Sequence, residues 1–311
     1  MGTATARNQF FKGGAVVAAC LIVAVLALSG CGGGSGGGSS GGGNNTLTVA
    51  TINDLRDADN IVLGSAANDR VLMGSTVYDP LFATDDKANA APALAESADS
   101  SPDAKTWTLH LRQGVKFSNG KPFTSKDVKA NFDAFMDPAN ASSFLSNLSN
   151  VESIDIPDDY TVVFHLKAPD ARFTANMIET MFISDLDARK SPPLLQPGEV
   201  PIGTGPYKWE SRETGSSVTF VPNDDYWRGK PPLSKVVFKG ITDPQAATLA
   251  LQKGEVDVVA NNPSIPSLPD LEKDSKIKIL HAEGSYFFQA YNNFEKARRG
   301  GYTDGDKVHL G

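Results

Sequence analysis

Residues 107–135, WTLHLRQGVKFSNGKPFTSKDVKANFDAF, leave little freedom in how they fold. The stretch opens by alternating: Trp107, Leu109 and Leu111 point one way, Thr108, His110 and Arg112 the other. That period of two predicts a strand with one buried face. Val115 and Phe117 carry the alternation past Gly114, and Asn119-Gly120 supplies the positive-φ chemistry that reverses a chain. A helix start follows at once. Thr124 is an N-cap residue, Asp127 is the acid that completes a capping box, and Phe123 can staple against Val128. Val128, Phe132 and Phe135 then recur at spacings of four and three, one apolar stripe on a helix that stops before Pro138.

The N-terminus has another character. Arg7 and Lys12 precede an apolar run at 15–28, AVVAACLIVAVLAL, and Leu28-Ser29-Gly30-Cys31 has the form of a lipobox, in which the Cys31 sulfur takes a lipid. The competing reading is an uncleaved membrane anchor, since the run is only slightly short of a spanning helix. The cysteine directly after Leu-Ser-Gly favours lipidation, which makes 1–30 a signal peptide and Cys31 the membrane anchor. Residues 32–43 are only glycine and serine. Such a segment buries nothing and has a root-mean-square span of roughly 20 Å, so 31–45 reads as a lipidated cysteine plus tether. An engineered linker would have the same composition.

The body has the makings of an α/β lobe. Residues 46–52, TLTVATI, read as the first strand, and a helix is expected from about 66 to 77. Val151 to Ile156 and 161–166 flank Pro157-Asp158-Asp159 as a hairpin. Phe173, Met177 and Met181 predict a helix from about Ala171, with the methionines as core. Gly203-Thr204-Gly205-Pro206 is expected to turn tightly into a strand, followed by a hairpin across 213–216. Val236-Val237-Phe238 is continuously apolar, as a strand buried on both faces requires. Asp243 caps a helix with Pro244 at its first position, Leu249 on its buried stripe and Gly254 at its end; Val256 and Val258 start the next strand. Strand, helix, strand at this spacing is a crossover that implies a parallel, right-handed pairing of the two strands. Residues 276–280 and 286–291 are expected as two further strands.

Composition narrows the partners. The net charge is −7, and residues 1–30 carry two positive charges, so the rest carries −9 without any basic cluster. Nucleic acid is excluded on that ground. Both cysteines, Cys20 and Cys31, precede the body, which therefore holds no disulfide and no thiolate metal site.

Several motifs together resemble the signatures of the family 5 extracytoplasmic solute-binding proteins of ABC importers. Leu111-Arg112-Gln113-Gly114-Val115-Lys116-Phe117, Asn119-Gly120 and Pro122-Phe123-Thr124-Ser125-Lys126-Asp127-Val128 follow its L-R-x-G-V-x-F, x-x-G, x-P-[FLV]-[TS]-[AS]-x-D-V pattern. Tyr78-Asp79-Pro80-Leu81, Pro92-Ala93-Leu94-Ala95-Glu96, Ile202-Gly203-Thr204-Gly205-Pro206-Tyr207, Asn223 with Tyr226-Trp227 and Gly229-Lys230-Pro231, and residues 250–257 extend the likeness over most of 46–293. The resemblance implies a periplasmic-binding-protein-like (type II) lobe of mixed sheet and helices, residues 46–86 and 196–293, with an inserted α+β subdomain at 87–195. Only eighteen residues follow Asn293. The chain is thus expected to stop at 294–311, the start of a second lobe that it lacks, and 46–311 alone is expected to bind peptides weakly and to self-associate. The implied function is capture of a peptide, or another small solute, and delivery to a membrane permease, by closure of two lobes. Peptide is the leading ligand because its backbone can pair with cleft strands whatever its side chains.

The resemblance places Ile52, Asn53 and Asp54, at the end of the first strand, and Tyr286, Phe288, Tyr291 and Asn292, in a strand crossing between lobes, at the cleft. Asp54 either meets a peptide's ammonium or caps the segment after it. No cofactor and no metal is implied. No Gly-x-Ser-x-Gly or His-Glu-x-x-His occurs, and the segment from Gly114 to Lys121 fails as a phosphate loop, with Pro122 where Ser or Thr is needed. The four histidines, 110, 165, 281 and 309, are scattered. The rival classes are a secreted hydrolase, distinguished by turnover, and a passive surface lipoprotein, distinguished by the absence of saturable solute binding.

Overall fold

The computed structural model describes residues 45–51, 68–84, 90–177, 181–193, 195, 198–260 and 265–279. The chain divides into two units, Met1–Lys278 and Ile279–Gly311, and the description concerns the first. Its main sheet has five strands: β1 (Thr46–Thr51), β8 (Tyr207–Glu213), β9 (Ser217–Pro222), β10 (Lys235–Gly240) and β11 (Val258–Val259), in the order β11-β1-β10-β9-β8. β1 is parallel to both β10 and β11, while β10-β9-β8 is an antiparallel meander. A second, antiparallel sheet comprises β4 (Ala95–Ser100), β5 (Thr106–Leu111), β6 (Val151–Asp158) and β7 (Thr161–Leu166), ordered β4-β5-β7-β6. Between them in sequence lie helix α1 (Asn68–Val77) and the short pair β2 (Phe82–Thr84) and β3 (Ala90–Pro92).

The 107–135 stretch folds as its pattern dictates. Trp107, Leu109 and Leu111 of β5 are buried, and Val115 and Phe117 are buried beyond it, although only Lys116 makes a bridge there. Gly114 and Gly120 take positive φ, 77° and 88°, in the two reversals. Helix α2 (Ser125–Met136) begins at a capping box whose firm half is the Asp127 carboxylate, accepting the Thr124 amide at 2.8 Å and its hydroxyl at 3.1 Å. Its stripe Val128, Phe132 and Phe135 is fully buried. Phe132 meets Phe164 of β7 edge-on at 5.0 Å, and Phe164 meets Phe173 at 5.2 Å. One hydrophobic core runs from Leu47 in the main sheet through this aromatic stack to Phe238, so the two sheets share an interior.

Five expectations are corrected. The predicted helix at Ala171 is a short 3₁₀ turn, Phe173–Met177, although Phe173 and Met181 are buried in the core as expected. β10 and β11 are both parallel to β1 but flank it; spacing sets the direction of a crossover, not which strand lies between. Val237 is half-buried, because the face of the sheet it shares with Thr48 and Ala50 is covered largely by small residues. On that face α3 (Pro244–Lys253) buries Ala247, Thr248 and Ala250, and Leu249 points outward at 48% exposure. Alanines let the helix approach the sheet closely, and the larger leucine is left outside. Lys276 lies in a turn and residues 277–279 are not paired, so the described part of the expected 276–280 strand is not one; it follows a short helix α4 (Leu268–Leu271).

The two glycines of Gly203-Thr204-Gly205 serve close approach rather than a special turn. Neither has positive φ. A Cβ on Gly205 would lie 2.5–2.7 Å from the Val77 carbonyl and the Tyr78 nitrogen at the end of α1, and Gly203 is as tightly placed. The Gly205 N–H uses that proximity to cap the Val77 carbonyl at 2.8 Å. The remaining expected strand, 286–291, and the leader at 1–44 lie outside the described residues.

Candidate functional site

Three parallel strands end side by side. Thr51, fully buried, closes β1 opposite Gly240 of β10; the Ile241 N–H donates to its carbonyl at 2.7 Å. On the other side Ala50 pairs with Val259 of β11, and the Ala260 N–H donates to the Ala50 carbonyl at 3.1 Å. In sheets with parallel strands, ligands gather outside the carboxyl ends, where loops diverge and leave a crevice. α3 also starts at this end, its Asp243 carboxylate accepting the Ala246 N–H at 2.7 Å. Ile52, Asn53 and Asp54 follow Thr51 directly in sequence. They, and Tyr286, Phe288, Tyr291 and Asn292, lie outside the described residues.

At the opposite end of the main sheet, by the entrance to β8 and the loop after β9, sits a buried carboxylate that the sequence did not single out. Asp79 accepts the Trp227 indole N–H at 2.9 Å, the Thr204 hydroxyl at 3.0 Å and the Tyr226 hydroxyl at 3.3 Å. Burial pushes its carboxyl pKa up, against the Trp227 hydrogen bond, the Arg228 charge and the two hydroxyls. The Arg112 and Arg228 guanidiniums each lie 4.4 Å from the Trp227 ring centre. Arg112 also bonds the Ala93 carbonyl at 3.1 Å and Glu96 at 3.0 Å. Residues from 79, 93–96, 112, 204 and 226–228 thus meet in one place. The signal was in the sequence as separate motifs; nothing in their spacing told that they converge.

A second missed group surrounds Lys121. Its ammonium is 2.8 Å from a carboxylate oxygen of each of Asp127, Asp185 and Asp187. Burial alone would lower the ammonium's pKa; the three carboxylates outweigh it and raise it. Those oxygens lie within 4.8 Å of one another, close enough to share a metal ion, but the lysine supplies the positive charge itself. The cluster fastens the segment at 185–187 to the 119–127 turn, with Asn119 donating to Asp185 at 2.8 Å.

Neither described histidine is placed for catalysis. His110 pairs with Asp99 at 3.2 Å and is exposed, and His165 pairs with Asp155 at 3.0 Å and is half-buried, both on the second sheet. Among the described residues, open hollows of about 540 Å³ beside His110 and Tyr160 and about 500 Å³ beside Asn45 and Pro232 lie away from the carboxyl ends of β1, β10 and β11. No helix among the described residues is long and apolar enough to cross a membrane.

The lobe presents the carboxyl ends of parallel strands, where ligands gather in sheets of this kind. Comparison with known proteins agrees. The model of the bacterial extracellular solute-binding proteins, family 5, matches residues 89–300, and the chain belongs to that family. It is 31% identical over 227 residues to an ABC transporter peptide-binding protein of Brucella ovis, covering 71% of this chain and 42% of that one. The nickel-binding periplasmic protein of Escherichia coli is 27% identical over 220 residues, 67% of this chain and 40% of that protein. Among solved structures, AgaA from A. tumefaciens R10 with agropinic acid superposes with a TM-score of 0.67 at 28% identity, over 74% of this chain and 46% of that one. The oligopeptide-binding protein AppA of Bacillus subtilis with a nonapeptide gives 0.67 at 26%, over 76% and 47%. The chain therefore spans less than half the length of these relatives, and the type II lobe with its inserted α+β subdomain is the part they share.

Proposed function

We propose that the chain captures a peptide, or a related small solute, outside the cytoplasm and passes it to an ABC permease. In this reading 1–30 is a signal peptide, Cys31 carries the lipid and 31–45 tethers the body. Residues 46–86 and 196–293 form the ligand-binding lobe, and 87–195 its inserted subdomain. The ligand lies against Ile52, Asn53 and Asp54 and the segment containing Tyr286, Phe288, Tyr291 and Asn292. Family membership supports the class, and relatives named for peptides favour peptide over the nickel and agropinic acid of others. The observation that carries the placement is the shared end of β1, β10 and β11, from which Ile52 directly continues.

Two measurements test it. Calorimetric titration of residues 46–311 with short peptides should give at most weak heat, reduced further when the peptide's amino terminus is blocked if Asp54 meets the ammonium. Heat with nickel complexes and none with peptides would reassign the ligand class. Mass spectrometry of membrane-bound protein should find a lipid on Cys31, and Cys31→Ala should leave the protein uncleaved or released; an unmodified Cys31 refutes the anchor.

A further inference from the structure

We infer that the fold holds its membrane tether at the pole opposite the ligand end, so that the length of the Gly/Ser segment decides whether that end can turn toward the membrane. The inference rests on the lipid-anchor reading above. Its structural part is the position of Asn45, the last residue before β1. The Asn45 side-chain amide donates to the Pro232 carbonyl at 2.6 Å, and its carbonyl accepts the Ser234 N–H at 2.9 Å and the Ser234 hydroxyl at 3.1 Å. Asp224 and Lys230 line the same hollow. The exit point of the chain is therefore fixed to the main sheet by both the backbone and the side chain of one residue.

From Asn45, β1 runs away from this pole, and its six residues cover about 20 Å before Thr51 reaches the ligand end. A body tied by its near pole presents the far pole outward. To bring the ligand end to a membrane partner, the body must turn over, which requires Asn45 to rise from the bilayer by at least the length of β1. Residues 32–44 can extend to about 45 Å, and a twelve-residue Gly/Ser chain has a root-mean-square span of roughly 20 Å, so the turned arrangement costs little chain entropy. Removing 32–39 would leave residues 40–44, with a reach of about 17 Å, shorter than β1. The ligand end would then be held away from the membrane, although lipidation and the lobe are untouched.

The body contains no cysteine, which permits a clean test with single dyes. Full-length lipidated protein would be reconstituted in vesicles bearing a headgroup acceptor with a short transfer distance. One donor dye would sit on Thr242→Cys, beyond β10 at the ligand end, and another on Asp224→Cys, at the tether pole. With the natural tether, both positions should transfer energy to the membrane. Deleting 32–39 should reduce transfer from position 242 at least twofold and leave position 224 unchanged, and replacing 32–39 with eight other Gly/Ser residues should restore it. Transfer from position 242 that survives the deletion overturns the inference while the anchor reading stands. Absence of transfer from either position with the natural tether would instead show that Cys31 is not an anchor, and both would fall.

Discussion

Replacing Asp79 tests whether the meeting of motifs at the entrance to β8 organises the lobe. In Asp79→Ala the Trp227 N–H and the Thr204 and Tyr226 hydroxyls lose their acceptor together. A buried donor left without a partner costs about 1–3 kcal/mol, and such costs in one network do not add. Removing a desolvated carboxylate returns part of the loss. Breaking one side of a buried charged network typically costs about 3–5 kcal/mol, and we expect the lower end, about 3 kcal/mol. Asp79→Asn keeps one acceptor oxygen and should lose roughly half as much. Urea denaturation read by tryptophan fluorescence measures both, because Trp227 reports directly on the site. A loss below 1 kcal/mol for Asp79→Ala would refute the idea that this carboxylate ties α1, the entrance to β8 and the 223–231 loop together.

The same residue fixes a pH dependence. Burial raises its folded-state pKa above the unfolded carboxylate value. Between those two values the folded chain binds more protons than the unfolded one, so this group makes stability rise as pH falls. The window opens near the ordinary aspartate value of about 3.9 and extends upward. Asp79→Asn lacks the term. The difference in stability between the natural protein and Asp79→Asn should therefore widen in favour of the natural protein on acidification through that window; a difference independent of pH, or one that narrows, contradicts the assignment.

Three further outcomes are expected. Lys121→Met leaves buried Asp127 and Asp185 without their cation and should cost about 3 kcal/mol by denaturation midpoint. Because the Lys121 pKa is raised, its stabilising contribution is complete below the ordinary lysine value of about 10.4 and is given up only above it, so the cost should be constant across neutral pH. Gly205→Ala places a methyl against the backbone at Val77 and should lose about 3 kcal/mol, the upper end for overpacking, whereas Gly120→Ala, in open space, should lose only the strain of its positive φ. Thr124→Ala should cost about 1 kcal/mol and Asp127→Ala clearly more, since Asp127 both caps α2 and holds Lys121; equal costs would show that the box and the ion cluster are independent.

What could be read from the sequence followed from local physics. The alternation through Trp107, Leu109 and Leu111, the Thr124–Asp127 box, the Asp243 cap and the Gly254 terminus each depend on residues within one turn or one strand, and each appears in place. Where the structure differed, the deciding partner was distant. The stripe of α3 predicts Leu249 inside, yet the sheet beneath α3 selects the alanines beside it. The glycines of 203–205 were read as a turn, yet their constraint is the end of α1, more than a hundred residues earlier. Asp79 looks like one letter in a motif until Thr204, Tyr226 and Trp227 close around it.

The same division explains why the scaffold is better specified by local pattern than the ligand contacts are. A binding lobe must hold the ends of its strands still, and the residues that do so are caps, stripes and buried ties with strong steric or hydrogen-bonding requirements. Thr51 pairs with β10 and its neighbour Ala50 with β11, and Asp79 fixes the far end of the segment that leaves them. Residues 52–67, which lie between these two anchors, carry the proposed contacts Ile52, Asn53 and Asp54. In the proposed reading their identities answer to the solute rather than to the fold, and no periodicity or cap pattern marks them. Relatives named for peptide, nickel and agropinic acid ligands accord with the proposal that the anchors keep one geometry while the contacts between them vary in chemistry.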